Sequence, residues 1–95
     1  MNEVEEFISL FNGDTKFANG LCYWFAYVLK ARFPYGDIWY DQIENHFYFV
    51  TTNGAYDVFG ETPLPHSAIR WSEYKDYDHL DYQRVVRDCI LKVGV

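Results

Sequence analysis

Residues 46–59 read HFYFVTTNGAYDVF, and this stretch decides the fold. Both halves are rich in aromatic and β-branched residues, and the Asn53-Gly54 pair between them is a strong turn signal. The pattern predicts a β-hairpin with strands His46–Val50 and Ala55–Phe59. Upstream of it, Asp37–Asp41 alternates in character and predicts a further strand, so we expect a meander of three short antiparallel strands.

Helical patterns flank this meander on both sides. Asn2–Phe11 has apolar residues at helical spacing with Asn2 as its N-cap, and Leu21–Arg32 keeps the helical period until Phe33-Pro34 ends it. An apolar stripe in Asp78–Val93 predicts the last helix. The predicted fold class is therefore α+β: N-terminal helices packed on a small antiparallel β-meander, with a C-terminal helix.

The region between the meander and the last helix has weaker patterns. Gly60–His66, which contains Pro63 and Pro65, predicts an extended surface loop, and Ser67–Trp71 predicts an edge strand. A chain of 95 residues has room for one hydrophobic core, and 49% of the residues are hydrophobic, which is enough to fill it. We therefore expect a single domain that spans residues 1–95.

Charge and composition disfavour several classes of protein. Fourteen acidic residues against eight basic ones give a net charge of -6, which argues against direct nucleic-acid binding and suits a basic protein partner. The first residues carry no basic leader, and no apolar run reaches the length of a membrane span, so we expect a cytoplasmic protein without membrane association. Cys22 and Cys89 lack the spacing of a zinc site, so no metal or other cofactor is expected.

One cysteine has the setting of a nucleophile. Cys22 lies in the first turn of the predicted Leu21–Arg32 helix, where unpaired backbone N–H groups and the helix dipole favour a thiolate. A nucleophilic thiol also needs a base, and the base needs a group that fixes its tautomer. His46 and Asp57, on the two strands of the predicted hairpin, are the candidates for these roles. A lone cysteine on an aromatic helix is also a common small core residue, so both interpretations stay open.

The register of the hairpin decides whether His46 and Asp57 meet. A two-residue turn on Asn53-Gly54 places Asp57 about 13 Å farther along the strand than His46, which separates the two side chains. A four-residue loop, Thr51–Gly54, places Asp57 opposite Tyr48 and leaves His46 as a diagonal neighbour on the same face, roughly 7–8 Å away between Cα atoms. The second register, or a bulge in the loop that brings His46 and Asp57 directly opposite each other, allows the three residues to act together.

Three segments together resemble a known family. They are GLCYWFA at residues 20–26, HFYFV at residues 46–50 and NGAYDVFG at residues 53–60. A cysteine that opens a helix, an aromatic strand that begins with His and a hairpin that returns to an acidic residue resemble the core of the papain-like cysteine hydrolase superfamily. Transglutaminase-like domains and cell-wall endopeptidases of the NlpC type contain this core. The order Cys, His, Asp is the shared feature.

The resemblance implies catalysis by acyl transfer through a thioester. In this chain Cys22 would be the thiolate, His46 the base and Asp57 the orienting carboxylate. The substrate would be a protein or a small amide or ester. Protease, deamidase and transglutaminase-like outcomes share this chemistry and stay open, because access of water or an amine to the thioester decides between them.

Three further residues are candidates for the surroundings of this centre. Papain-type enzymes carry a glutamine upstream of the cysteine, and in its place Asn19 is the candidate oxyanion donor here. Trp24 and Trp39 are candidates for the walls of a substrate cleft, and packing in the core is the alternative use of such large rings.

A second function is compatible with the same sequence. The chain would then be a non-catalytic acidic binding or inhibitor protein of phage or mobile-element type on the same scaffold. Its small size, its negative charge and its nine Tyr residues suit that role. The reactivity of Cys22 separates the two hypotheses, because a binding protein needs no reactive thiol.

Overall fold

Five antiparallel strands form one sheet, and helices from both ends of the chain pack on it. The structure, a computed structural model, describes residues 2–17 and 20–92. Within these residues the strands are β1 (Asp37–Asp41), β2 (His46–Thr51), β3 (Gly54–Asp57), β4 (Gly60–Thr62) and β5 (Ala68–Arg70), and the α-helices are α1 (Glu3–Ser9), α2 (Cys22–Arg32), α3 (Trp71–Tyr77) and α4 (His79–Val85). The fold class is therefore α+β, as the sequence predicts.

The first two helices begin near the predicted positions. The Asn2 side chain accepts a hydrogen bond from the Glu5 backbone N–H at 2.9 Å, and the Glu5 carboxylate completes the capping box at the start of α1. The helix α2 begins at Cys22, and its buried face consists of Cys22, Phe25, Ala26 and Leu29. Val28 lies outside this face and is 39% exposed.

The sheet has the strand order β4-β3-β2-β1-β5. The first four strands form a meander, and β5 returns to pair with the other side of β1, from Trp39 opposite Arg70 to Asp41 opposite Ala68. The pairing of β1 with β2 ends at Asp41 opposite His46, so residues 42–45 form the connection between these strands. His46 is thus the first residue of a central strand.

The hairpin of β2 and β3 has the register that brings Asp57 opposite Tyr48. Phe49 pairs with Tyr56, and Thr51 pairs with Gly54. The predicted four-residue loop is nevertheless wrong, because the strands continue to that last pair and leave only residues 52–53 in the turn. Gly54 has a φ of +153°, a backbone conformation that side-chain-bearing residues rarely adopt, and it lets the chain enter β3 directly after this short turn.

The segment after the hairpin differs most from the expectation. The predicted loop Gly60–His66 contains a strand, β4, that pairs with β3 from Ala55 opposite Thr62 to Asp57 opposite Gly60. The predicted strand Ser67–Trp71 is shorter, because Trp71 is the first residue of the helix α3. That helix was not predicted, since Tyr74 is its one buried residue and no apolar stripe marks it.

The last predicted helix is divided. Asp78 caps α4 by accepting a hydrogen bond from the Asp81 backbone N–H at 3.1 Å. After Val85 the chain continues as a π-helical segment, Val86–Leu91. Val85 is the buried residue of α4, whereas Leu80 is 77% exposed. Val93, the predicted end of this helix, lies outside the described residues.

The core consists of two clusters that α2 connects. One lies between α1, α2 and the hairpin, and contains Val4, Ile8, Phe25, Leu29, Phe33, Phe49, Tyr56 and Val58. The other lies towards α3 and α4, and contains Cys22, Ala26, Ile38, Tyr40, Phe47, Tyr74 and Val85. Cys22, the first residue of α2, therefore lies in the second cluster, beside β2, the strand that begins with His46.

In the part of the chain that the structure describes, no helix combines the length and the apolar character that a bilayer-spanning helix needs.

Candidate active site

The hairpin brings His46 and Asp57 into contact. His46 opens β2 and Asp57 ends β3, and the register makes them diagonal neighbours on one face of the sheet. The Nε2 atom of His46 lies 3.4 Å from Oδ2 of Asp57. Both side chains are largely buried, with 15% and 17% of their surface exposed. Of the two registers that the sequence left open, the structure has the one that allows this pair to meet.

Cys22 approaches the same imidazole from the start of α2. It is the first residue of the helix and is 8% exposed. Its side chain helps to raise the pKa of the His46 ring, through hydrogen bonding and through charge. Cys22 and Asp57 therefore both act on the His46 imidazole.

The electrostatic surroundings of His46 favour its protonated form. Burial lowers the pKa of the ring, because a charged imidazolium loses hydration. Hydrogen bonding to Asp57 and to Cys22, together with the negative charge of these two groups, outweighs burial and raises the pKa of His46 to about 9. At neutral pH the ring is therefore an imidazolium that lies between two acidic partners.

The carboxylate of Asp57 is oriented by its own turn. Its Oδ1 atom accepts a hydrogen bond from the Phe59 backbone N–H at 2.9 Å, while Oδ2 faces His46. An Asp side chain that binds the N–H two residues later stabilises a tight turn, here the one between β3 and β4. The β4 strand that the sequence did not predict thus helps to aim the carboxylate at the ring.

Tyr48 also contacts the imidazole, and the sequence did not single it out. The edge of one ring meets the face of the other, with centroids 4.7 Å apart and an interplanar angle of 83°. The Tyr48 hydroxyl donates to Oε2 of Glu44 at 3.0 Å. Burial and this hydrogen bond raise the pKa of Tyr48, so the phenol stays neutral. The period-two spacing of Tyr48 and His46 on one strand was the available signal.

A second polar cluster lies directly before His46. The Asn45 side chain accepts hydrogen bonds from Tyr40, Arg84 and Cys89, and Arg84 in turn binds Asp81. The sequence assigned no role to Asn45, Tyr40 or Arg84. Their convergence depends on the packing of α4 against the end of the sheet, which no local pattern reports.

The other predicted site residues are placed as follows. Asn19, the candidate oxyanion donor, lies outside the described residues. Trp24 packs on the π-helical segment, where its indole N–H donates to the Ile90 carbonyl at 3.1 Å. Trp39 lies opposite Tyr48 in the sheet, with the Arg70 guanidinium 5.6 Å from its ring centroid. Trp39 therefore shares the sheet face of His46, whereas Trp24 connects α2 to the C-terminal segment.

Two other kinds of site, a metal site and a surface cavity, do not involve the three candidate catalytic residues among the described residues. Among residues 2–17 and 20–92, no three His, Cys, Asp or Glu side chains converge in a way that would hold a metal ion. One surface cavity of about 280 Å³ lies between α1 and residues 58–60. Another, of about 400 Å³, lies beside the tip of the β2–β3 hairpin and residues 61–64. Neither is lined by Cys22, His46 or Asp57.

Comparison with known proteins assigns a family. Neither the curated proteins nor the solved structures contain a match to this chain. The family described as Phage YunG-like protein matches residues 6–88, a range that includes Cys22, His46 and Asp57. Because the match covers most of the chain, the chain belongs to the phage YunG-like protein family.

Proposed function

We propose that the protein is a cysteine-dependent hydrolase or acyltransferase of papain-like or transglutaminase-like type. Cys22 would be the nucleophile, His46 the acid and base, and Asp57 the group that orients the imidazole. One observation carries the proposal: the His46 ring interacts with the Cys22 thiol and the Asp57 carboxylate at the same time. A nucleophile, a base and an orienting group in contact are what acyl transfer by a thiol requires.

The raised pKa of His46 defines the resting state of this mechanism. With a pKa of about 9 the imidazole is protonated at neutral pH, and an imidazolium next to Cys22 stabilises the thiolate. The charged ring is then in place before any substrate arrives. Asp57 holds the charged ring in place, because one of its carboxylate oxygens faces Nε2 and the other is bound to the turn.

The reaction then proceeds in two halves. The Cys22 thiolate attacks the acyl carbon, a C–S bond forms, and the His46 imidazolium donates its proton to the leaving amine or alkoxide as the scissile bond breaks. The thioester remains on Cys22. In the second half the neutral imidazole takes a proton from water or from an amine, which attacks the thioester and releases the acyl group and the thiolate.

The start of α2 supplies a site for the oxyanion. The N-cap residue Leu21 makes no side-chain hydrogen bond to the first turn. The backbone N–H of Cys22 belongs to the donors that have no partner within a helix. Such a donor, next to the attacking sulfur, can stabilise the negative oxygen of a tetrahedral intermediate.

Access to the sulfur limits the substrates. Cys22 is only 8% exposed, so an acyl group must approach along a narrow path. Substrates with a slender acyl group, such as a side-chain amide of a protein or a small ester, fit this restriction better than a bulky branched acid. We therefore propose a protein or a small amide or ester as the substrate.

A chromogenic ester tests the proposal. Mixing the protein with p-nitrophenyl acetate should release close to one p-nitrophenolate per chain in a rapid burst, as the acetyl group is transferred to Cys22. Mass spectrometry should find the acetyl group on the peptide that contains Cys22. The Cys22→Ala protein should give no burst, and Cys89→Ala should give the wild-type burst.

The result that contradicts the proposal is equally specific. A burst that survives in Cys22→Ala, or acetylation spread over lysines with none at Cys22, would exclude the thioester mechanism. A wild-type protein that gives no burst, while its unfolded form reacts with thiol reagents, would show that the fold seals Cys22 from acyl donors.

A phage-type binding protein on the same scaffold is the second candidate. Membership of a phage protein family and a net charge of -6 favour it. Large apolar side chains are also exposed on the surface, among them Ile43 at 78% and Leu80 at 77%. Such a protein would bind a basic partner through surface residues. Inert thiols at both Cys22 and Cys89 in the folded protein would favour this function over catalysis.

A further inference from the structure

The connection that precedes His46 is held by residues from the far end of the chain. Residues 42–45 link β1 to β2. The side chain of Gln42 accepts a hydrogen bond from the Tyr74 hydroxyl of α3 at 3.1 Å. Asn45, at the other end of the connection, contacts α4 and the π-helical segment. The backbone that leads into the candidate base is therefore fixed from outside its own hairpin.

The side-chain oxygen of Asn45 is the centre of this attachment. It accepts from the Tyr40 hydroxyl at 2.5 Å, from Nη1 of Arg84 at 3.1 Å and from the Cys89 sulfur at 3.7 Å. An amide oxygen has two lone pairs, so the two short bonds saturate it and the sulfur contact is the weak one. Tyr40 itself is fully buried, which makes one of the short bonds rigid.

Arg84 is in turn held in place. Its Nε and Nη2 atoms bind Oδ1 of Asp81 at 3.1 and 3.0 Å, and Nη2 also donates to the Tyr40 hydroxyl at 3.2 Å. Asp81 balances the charge of the guanidinium at short range. The contribution of Arg84 to this region is therefore mainly geometric, a fixed donor aimed at Asn45.

The backbone of Asn45 explains why such fixation is needed. Its φ is +53°, in the left-handed region that residues with a side chain seldom occupy. A conformation of this kind persists when surrounding contacts over-determine it, and it is found near functional sites. The very next residue is His46, so the left-handed turn sets the direction in which the imidazole leaves the strand.

We propose that Asn45 is a positioning residue for His46, an inference that rests on the proposed function of Cys22 and His46. Its side chain, bound to Tyr40 and Arg84, keeps the left-handed turn in one conformation. The groups that face the imidazole itself are Cys22 from α2, Asp57 from β3 and Tyr48 from β2. Asn45 acts on none of these directly, and it influences the thiol only through the placement of the ring.

Substitution by glycine tests this role without adding backbone strain. Asn45→Gly keeps the left-handed conformation accessible and removes the amide oxygen. Asn12→Gly is the matched control, because Asn12 also has a φ of +53° and lies in the turn after α1. The readout is the alkylation rate of Cys22 by iodoacetamide as a function of pH, resolved from that of Cys89 by peptide mass spectrometry.

The expected results differ between the two glycine variants. In Asn45→Gly the rate of Cys22 alkylation near pH 6 should fall roughly three- to tenfold, because a misplaced imidazolium stabilises the thiolate less. Asn12→Gly should keep the wild-type pH dependence. A role in folding alone would lower the thermal midpoint without moving the pH dependence of the Cys22 rate.

A pair of arginine variants gives an independent test. Arg84→Met removes the donor to Asn45, and Arg87→Met is its control, because Arg87 lies one turn later and binds Asp88. Arg84→Met should reproduce the loss seen in Asn45→Gly, Arg84→Lys should restore part of it, and Arg87→Met should match the wild type.

The His46→Gln protein separates the two levels of inference. If His46→Gln slows Cys22 alkylation near pH 6 but Asn45→Gly and Arg84→Met leave it at the wild-type rate, the positioning role is overturned and the proposed function stands. If His46→Gln has no effect either, the proposed function is overturned, and the positioning role with it.

Discussion

The two cysteines of this protein share one core cluster and differ in their polar neighbours. Cys22 is buried at the start of an α-helix and lies beside the His46 imidazole, whereas Cys89 is partly exposed in the π-helical segment and lies beside the Asn45 amide. Burial raises the pKa of Cys89, an effect that the Asn45 hydrogen bond and the Arg84 charge oppose. If the polar neighbours determine the reactivity of the two thiols, Cys22 is more reactive than Cys89, although it is the more buried of the two.

The largest expected effect is that His46→Gln abolishes the higher reactivity of Cys22 relative to Cys89. Without the imidazolium, Cys22 becomes a buried thiol with no cationic partner, and its alkylation near pH 6 should fall roughly 10- to 100-fold. The rate of Cys89 should not change, because its polar neighbour is Asn45. Peptide mass spectrometry after timed iodoacetamide treatment measures both rates in one sample.

The next test concerns the pKa of His46 and its dependence on Cys22 and Asp57. The folded protein raises the pKa of His46 to about 9 because it stabilises the protonated ring, so the ring should titrate by NMR near that pH. Removing the sulfur in Cys22→Ala removes one source of that stabilisation, and the midpoint should move down by about one pH unit or more. Cys89→Ala should leave it in place. A midpoint at or below about 6.5 in the wild type would mean that the two neighbours do not outweigh the effect of burial on the ring.

Asp57→Asn should have a smaller effect on the thiol. The amide can still accept a hydrogen bond from the ring but carries no charge, so it supports the imidazolium less well. We expect the alkylation of Cys22 near pH 7 to fall roughly three- to tenfold, less than in His46→Gln. Equal losses in the two variants would indicate that Asn at position 57 displaces the ring altogether, and a crystal structure of the variant would show this.

The smallest expected effects concern stability. Cys22→Ala removes a buried sulfur from the aromatic cluster and should cost about 1 kcal/mol of unfolding free energy. Cys89→Ala, at a partly exposed position, should cost roughly 0.5 kcal/mol or less. Urea unfolding monitored by tryptophan fluorescence measures both. A larger cost for Cys89→Ala would show that its contact with Asn45 supports the fold more than the burial of Cys22 does.

The sequence predicts the central part of the fold well, and it limits the meeting of His46 and Asp57 to particular hairpin registers, for a physical reason. The β1 strand matches its predicted bounds, β2 extends one residue beyond them, and the contact between His46 and Asp57 follows from the register. Strand alternation and hairpin pairing are local rules, so they can be applied to residue numbers alone. The start of α2 near Cys22 could also be predicted, because the helical period is a local rule too.

The peripheral elements could not be predicted, because tertiary contacts define them. The β4 strand, Gly60–Thr62, has no apolar alternation and exists because the edge of β3 offers hydrogen bonds to it. The α3 helix buries one residue, Tyr74, whose hydroxyl binds Asp81 and Gln42. The attachment of Asn45 to Arg84 joins residues that are far apart in the chain, and no periodic pattern records such a pair.

The rate of iodoacetamide alkylation at each cysteine of the wild-type protein, measured between about pH 5 and pH 9, tests the central claim most directly. The account predicts that Cys22, with the His46 imidazolium beside it, reacts faster than Cys89 near pH 6, although Cys22 is the more buried thiol. A Cys22 rate at or below that of Cys89 near pH 6, or a Cys22 that stays unmodified until the protein unfolds, would contradict it.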